Sequence, residues 1–404
     1  MLPRAVTGVG ITSTVGVGWS AFVEAMRSAQ PLTGAGPRAL TTIDPTKYPG
    51  ARAFEVPDFD AARTLGPKGL RTLDRLTKLA VVAARLGLAE AALKRDNAFI
   101  ALSAERVGVV CSNAYGSLEA ITELNRVAKL EDPRYINPAV FPNTVANSAS
   151  GYVSIWEDLR ALNVAISDGN CGALDAVACA DIHLAQGRAD AILVGGAEAM
   201  HEALFLAFSL LGTLDHPEHV RQVGHQVGHL SLGEGAAFLV VEPQRIAHAR
   251  GARVLGEIVG YGTSFEAPEE GSTLIGPSGD ALGRAVLNAL GDAKLDPSDV
   301  DVVCASLSGL HRADEAERVA LERVFGGGSG GGGGVCIAAP KLVLGETLGA
   351  GGAFGMAAAL AWFAGARPAT VVSGHAPDEI DTVVVTSLGF YGNASAVVLR
   401  RPPA

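Results

Sequence analysis

The sequence predicts an α/β fold built from two similar halves, and three observations carry that expectation. Short apolar, Gly-rich runs, such as residues 5–12 and 107–113, read as buried strands. Amphipathic stretches alternate with them; in 71–93 the apolar residues recur at three and four. The order of strands and helices from about Arg253 onward repeats the earlier order, as pattern and not as sequence identity. A first half over 1–250 and a second over 251–404 follow.

In chain order, strand 5–12 is followed by helix 18–28, helix 71–93 and strand 107–113. Residues 132–150 are loop-like. Residues 164–167 form a short buried strand, 168–172 a tight turn, and 173–186 a helix with apolar residues at helical spacing. Strand 191–195 and a turn into strand over 231–241 complete the first half. The second half reads as strand 254–263, helix 279–290, strand 300–305 and helix 312–325. A glycine run with one serine, 326–334, has the composition of a flexible surface loop. Strand 335–338, helix 347–364 and strands 382–387 and 394–399 close the chain.

Composition narrows the function. The 404 residues suffice for two domains or one duplicated fold, and 48% are hydrophobic, so a large core is expected. Aromatics are only 5% while glycine numbers 50, which suits tightly packed helix layers against buried strands. The net charge of −10, from 32 basic and 42 acidic residues, argues against nucleic acid or an anionic membrane as partner. An acidic protein partner would need a local basic patch. The five cysteines, 111, 171, 179, 304 and 336, are scattered without a C-x-x-C, which fits a reducing cytoplasm. No signal peptide and no apolar run of membrane-spanning length is read.

The stretch Val164-Ala-Ile-Ser-Asp-Gly-Asn-Cys-Gly-Ala-Leu-Asp-Ala176 organises the rest. A strand that turns sharply into a helix displays one side chain at the helix N-terminus, where free N–H groups favour a thiolate or an oxyanion. Enzymes present nucleophiles this way. Either Asn170 or Cys171 occupies the tip.

The next segment, Gly187-Arg-Ala-Asp-Ala-Ile-Leu-Val-Gly-Gly-Ala-Glu198, resembles the strand that follows the nucleophile helix in β-ketoacyl synthases, the condensing enzymes of fatty-acid and polyketide assembly. In that family the catalytic Cys usually stands twenty-five residues before the first Gly of Gly-Gly-Ala-Glu. Counting back from Gly195 reaches Asn170, with Cys171 one place late. Asn170-Cys-Gly-Ala-Leu-Asp-Ala176 is similar to the Gln-Ala-Gly-Gly-Leu-Asp-Ala of chain-length factors, the subunits that lack the nucleophile. On that resemblance Asn170 is the replaced nucleophile, Cys171 a shifted one in the alternative, or a small buried thiol in the plainest reading. The resemblance implies a thiolase-like five-layer α-β-α-β-α sandwich of two duplicated halves.

Other motifs extend it. Residues 5–12 resemble the ketosynthase opening strand, and Phe141-Pro-Asn-Thr-Val-Ala-Asn147 the loop that packs at the family's dimer contact, which makes Phe141 an interface candidate. Ser231-Leu-Gly-Glu-Gly-Ala-Ala237 matches a Gly-[Asp/Glu]-Gly-Ala segment, whereas the Arg-Pro-Phe-Asp that normally precedes it is absent. A condensing site also needs two His to stabilise enolate and oxyanion, and a Lys to fix their charge states. Counting back from Asp314-Glu-Ala-Glu317 puts Ser306 where the first His belongs. Pro340-Lys341 supplies the Lys. Gly345-Glu-Thr-Leu-Gly-Ala-Gly-Gly-Ala353 replaces the second His by Glu346. Ser is too weak an acid to replace imidazole, and Glu346 is expected to pair with Lys341. Ser387-Leu-Gly-Phe-Tyr-Gly-Asn393 matches the gating loop at Gly389, Phe390 and Gly392, with Tyr391 in place of a Gly.

The resemblance therefore implies a non-catalytic chain-length-factor-like subunit. It would pair with an active ketosynthase as a heterodimer and shape a tunnel for the acyl chain carried on the phosphopantetheine of an acyl carrier protein. The alternatives are an active acyltransferase using Cys171, or a non-catalytic carrier-binding homodimer. No cofactor is called for: Gly8–Gly18 lacks a phosphate-binding spacing. His225 and His229 could share a helix face as metal ligands, but Gly224 and Gly228 argue against a helix, so the histidines 216–229 read as a solvated loop and no metal is expected. His311 falls where the family has Pro. The charges from Asp314 to Arg323 read as the wet face of a helix.

Overall fold

The computed structural model describes residues 1–27, 36–214, 229–268, 275–326 and 334–403. Apart from two small two-stranded pairs, the strands described form one mixed, 12-stranded sheet arrangement in which a single order appears twice. In the first half the strands are, by chain order, Arg4–Ser13, Val107–Ser112, Asn163–Ile166, Ala191–Glu198 and Gly235–Pro243. In the second they are Gly256–Phe265, Val302–Cys304, Cys336–Ala338, Thr382–Leu388 and Asn393–Arg400. Each half arranges its strands third, second, fourth, fifth, first. In both, the second strand runs parallel to the third and fourth, and the fifth antiparallel to the fourth and first. The halves meet where Arg4–Val6 pairs antiparallel with Gly256–Ile258.

Strand alternation produces the layers. Val107, Val109 and Cys111 pack with helix Arg75–Glu90 on the outer side, while Val110 joins the central core. In the second half Val303 and Ala305 face helices Gly279–Ala293 and His311–Phe325, while Val302 and Cys304 face inward. Between the sheets lie helices Gly172–Ala185 and Gly351–Phe363. The second is apolar all round and buried along almost its whole length, as a helix inside a sandwich must be. The two approach so closely that a Cβ on Gly352 would fall 2.8 Å from Leu174 Cγ. This is the five-layer thiolase-like α/β sandwich expected from the sequence.

Several boundaries differ from the sequence reading. The helix expected over 71–93 starts at Arg75, because Leu70–Thr72 forms its own 3-10 turn and the Asp74 carboxylate caps the helix by accepting from Thr77 N at 2.7 Å. The stretch read as a loop over 132–150 contains 3-10 turns Pro133–Tyr135 and Pro138–Thr144 and the start of helix Ser148–Glu157. Helices Leu118–Leu130 and Glu202–Leu210 and the edge strand Val371–Ser373 were not anticipated. Residues 327–333 of the glycine run and His216, His219 and His225 lie outside the described residues. Among the described residues no helix is long and apolar enough to cross a membrane.

Candidate functional site

The elbow forms as the sequence requires. Strand Asn163–Ile166 ends at Ser167, and Gly169 adopts φ +53°, which lets the chain fold into the 3-10 turn Gly169–Cys171 and straight on into helix Gly172–Ala185. Gly172 is needed there because a Cβ would fall 2.3 Å from Ser112 Oγ. The second half places a matching 3-10 turn, Leu348–Ala350, before its own central helix. The two turns face each other, and the candidate residues gather between them.

Asn170, Lys341 and Glu346 are brought together. Their exposures are 3%, 8% and 1%, and that of Ser306 is 8%. Lys341 Nζ donates to both Glu346 oxygens, at 3.1 and 2.8 Å. Leu348 N donates to Glu346 Oε1 at 2.8 Å, and Asn170 Nδ2 reaches Glu346 Oε2 at 3.4 Å. The Glu346 backbone is strapped on both sides, its N–H donating to Ser231 O and its carbonyl accepting from Gly233 N. The carboxylate is thus compensated by one cation and by backbone and amide donors, as a buried charge must be.

Ser306 is not joined to that group by a hydrogen bond. Its N–H and Oγ donate to Glu317 at 2.9 and 2.7 Å, and Leu388 N donates to Ser306 Oγ. Ser306 and Lys341 share only the wall of a small cavity of about 10 Å³, the room of roughly one water. Here the reading of Asp314–Arg323 as a wet helix face needs correction. Glu317 is buried, taking hydrogens from Ser306 and Thr386, and half-buried Asp314 accepts from Ser308 N and Gly309 N, each at 3.0 Å. Burial pushes the Glu317 carboxyl above its ordinary value, partly offset by those donors. His311 is exposed at the start of its helix and His229 Nδ1 lies 3.1 Å from Leu214 O.

Cys171 points elsewhere. Its thiol is fully buried and lies 3.5 Å from Ser387 O, while Ser387 Oγ donates to Asn170 O at 2.6 Å. Burial pushes this thiol well up, and the carboxylates of Asp175 and Asp168 push it further. Asp175 is itself raised to about 7, first by burial and then by its hydrogen bond with Asp168, although Tyr261 Oη and Ser395 Oγ donate to it at 2.7 and 2.6 Å. A reactive thiol needs a cationic or dipolar neighbour that stabilises thiolate. Cys171 has carboxylates instead.

Glu198, the last residue of the Gly-Gly-Ala-Glu segment, is a site residue that sequence reasoning missed. It accepts from Ala114 N at 2.8 Å and Gly349 N at 3.3 Å, linking the two halves. Burial raises its carboxyl to about 8, against which the two N–H donors work, while the Glu346 charge adds to the rise.

At the outer side, the loop Gly389–Gly392 covers the elbow. Phe390 is buried with Leu348 and Phe208, its ring centroid 6.3 Å from that of Phe208. Tyr391 is half exposed and lies close to Tyr115. Away from the elbow, a groove of about 1120 Å³ runs between helix Leu118–Leu130, turn Pro138–Thr144 and helix Glu202–Leu210, walled by Ala120, Val140, Ala203 and Leu206. Phe141 stands beside it, 62% exposed.

Chemically, the elbow presents an amide where a nucleophile could stand, a neutralised Lys–Glu pair beneath it, and a carboxyl protonated at neutral pH. An amide cannot hold a thioester, and among the described residues no imidazole hydrogen-bonds Asn170, Lys341 or Glu346.

Known proteins give this geometry its context. Residues 3–247 match the family model for the β-ketoacyl synthase N-terminal domain, and residues 255–370 that for its C-terminal domain. Over 417 residues, covering 98% of each chain, the sequence is 29% identical to the 3-oxoacyl-[acyl-carrier-protein] synthase 2 of Coxiella burnetii. The fold is shared with the ishigamide ketosynthase/chain length factor at a TM-score of 0.84 and 24% identity, covering all of both chains. It is shared also with a β-ketoacyl synthase from Burkholderia phymatum, at 0.83 and 25%, again over all of both.

Proposed function

The chain belongs to the β-ketoacyl synthase family, and from that premise we propose that it is a non-catalytic, chain-length-factor-like subunit that pairs with an active ketosynthase in polyketide or fatty-acid-like chain elongation. The observation that carries this reading is the elbow itself. Asn170 occupies the tip and hydrogen-bonds Glu346, which is neutralised by Lys341. Removing a nucleophile alone from such a site costs about a million-fold in rate, and here both imidazole positions hold other residues as well. The buried ion pair fills the space in which a malonyl carboxylate would otherwise lie.

The competing reading, an acyltransferase using Cys171, is disfavoured by the same geometry. That thiol is buried against Ser387 O, beside two carboxylates that keep it protonated.

Two surfaces support the partner assignments. Among the described residues no strand pairs with the outer side of Asn163–Ile166, and an open apolar edge is a template for another chain. Phe141 and Ile155 are exposed on elements close to that edge, and the groove beside Phe141 would become a closed tunnel wall once a partner covers it. Side chains there set product length by filling space, which needs no reactive group. Within residues 63–78, Arg75 is taken up by Glu234, but Arg63, Lys68, Arg71 and Lys78 stand against one acid, the buried cap Asp74, and so give an acidic carrier protein a local basic landing site on a chain of net charge −10. Free cysteines suit a cytoplasmic complex.

Co-expression with a ketosynthase that retains Cys, His and His tests the pairing. A stable one-to-one complex in size-exclusion chromatography is the expected result. A stable homodimer that ignores the ketosynthase would favour the carrier-binding homodimer instead.

A further inference from the structure

We infer that the loop Gly389–Gly392 is a fixed plug in this chain: Phe390 and Tyr391 hold the elbow shut, so that the thioester arm of a carrier protein is excluded from Asn170. The inference rests on the reading that Asn170 stands where active relatives carry the nucleophile.

The loop is held from several sides. Phe390 is 5% exposed and sits in an aromatic and aliphatic cluster with Phe205, Phe208, Leu348 and Met200. Its carbonyl accepts from Gly276 N at 2.7 Å, and the Gly392 carbonyl from Glu266 N at 3.0 Å. Gly389 N donates to Asn393 O at 2.8 Å, and Asn393 Nδ2 donates to Asp168 O at 3.2 Å, which ties the loop to the elbow turn. Any substituent on Gly389 would collide with Asn393 Oδ1, 1.8 Å from an added Cβ. Tyr391 replaces a small residue with a ring close to Tyr115, on the turn that follows strand Val107–Ser112. Burial and the neighbouring Tyr391 raise the Tyr115 phenol above its ordinary value, with Glu198 and Glu346 adding their charge. The loop therefore bridges both halves above the site. The cavity beside Lys341 has room for roughly one water, too little for a pantetheine arm.

A moving gate needs a low-cost open state. Opening here would expose Phe390 and break bonds on both flanks at once. The locked loop also gives the buried Lys341–Glu346 pair a dry surrounding, in which its attraction is strongest.

The test places a thiol at the tip. Asn170→Cys is made in a Cys171→Ala background, and labelling of position 170 by a maleimide is followed by peptide mass spectrometry, with thermal melting as a control for folding. With the loop intact, labelling should be slow. Adding Tyr391→Gly or Phe390→Ala should speed it by roughly 10- to 100-fold, the scale set by burial of one aromatic ring. Fast labelling that neither substitution changes would overturn the plug. Hydrogen exchange on the unaltered chain provides a second, independent measurement: the amides of Glu266, Gly276 and Gly389 should exchange slowly, and faster in Tyr391→Gly. Rapid exchange at all three in the unaltered chain contradicts the inference. None of these outcomes bears on the missing nucleophile, which acyl transfer to the unaltered chain reports separately.

Discussion

The two halves share strand order and pairing sense, yet they finish differently at two places. The third strand of each half lies at the sheet rim. In the second half Cys336–Ala338 is covered by the chain's own strand Val371–Ser373 and is largely buried. In the first half Asn163–Ile166 has no such cover among the described residues and is half exposed. The other difference is at the facing elbows. The first half offers Asn170 on a turn opened by a left-handed glycine, whereas the second packs Leu348 into the core and turns Glu346 toward Lys341. Duplication supplied two equivalent frames. One is covered at its rim by a further strand, and the other has an exposed rim strand and an asparagine at its elbow tip.

Substitutions can break this comparison, starting with the pair between the elbows. Glu346→Ala leaves Lys341 buried without a counter-charge and should destabilise the chain by about 3–5 kcal/mol in denaturant titration. Replacing both partners, as Lys341→Met with Glu346→Gln, should cost much less. Equal losses would mean that the pair is not the shared anchor.

The next effect lies where the halves touch. A Cβ at Gly349 would meet Asn113 and Ala114 backbone atoms at 2.6 Å, so Gly349→Ala should cost roughly 1–3 kcal/mol by overpacking. A smaller loss would show that the elbows can move apart.

Acidity sharpens the contrast further, because the fourth strand of the first half ends in Glu198 and that of the second in Leu388. In the folded chain burial keeps Glu198 protonated up to about pH 8, against 4.5 for an ordinary glutamate. The unfolded chain loses that proton first, so it binds fewer protons over this window, and stability falls as pH rises from 4.5 to 8. Urea midpoints measured across that range should decline, and Glu198→Gln should flatten the decline. An unchanged slope in the variant would place the titration elsewhere.

Smallest for the chain itself are changes at the open rim. Ile155 is 74% exposed on helix Ser148–Glu157, which is tied to the edge strand through Asn163 Nδ2 and Ser154 Oγ. Ile155→Asp and Phe141→Ala should leave stability within about 0.5 kcal/mol. They should nonetheless weaken the complex with a ketosynthase by about tenfold or more, as loss of exposed apolar anchors does. An unweakened complex would move the interface away from this rim.

How far the sequence reveals these features depends on how locally each is determined. The elbow is legible because its turn glycine and the helix pattern after it are adjacent in the chain. The Lys341–Glu346 pair is legible because its members are close neighbours in sequence. Glu317 is not: its charged neighbours mimic a solvated helix face, while its partners Ser306 and Thr386 come from distant segments. Helix Leu118–Leu130 does carry an apolar stripe (Leu118, Ile121, Leu124, Val127), but the fold buries only Ala120, so the stripe marks a helix without placing it in the core. Helix Glu202–Leu210 fails for a different reason, being apolar nearly throughout. Strand Val371–Ser373 is exposed along its whole length and lacks any burial pattern.

The central claim is that this elbow carries no nucleophile, and intact-protein mass spectrometry tests it directly. The purified chain is incubated with acyl- and malonyl-loaded acyl carrier protein, beside a Cys171→Ala variant, while released carbon dioxide is followed. The account predicts no acyl adduct on either protein and no carbon dioxide. A stable adduct on the unaltered chain that disappears in Cys171→Ala would contradict it and make Cys171 the nucleophile of an active acyltransferase.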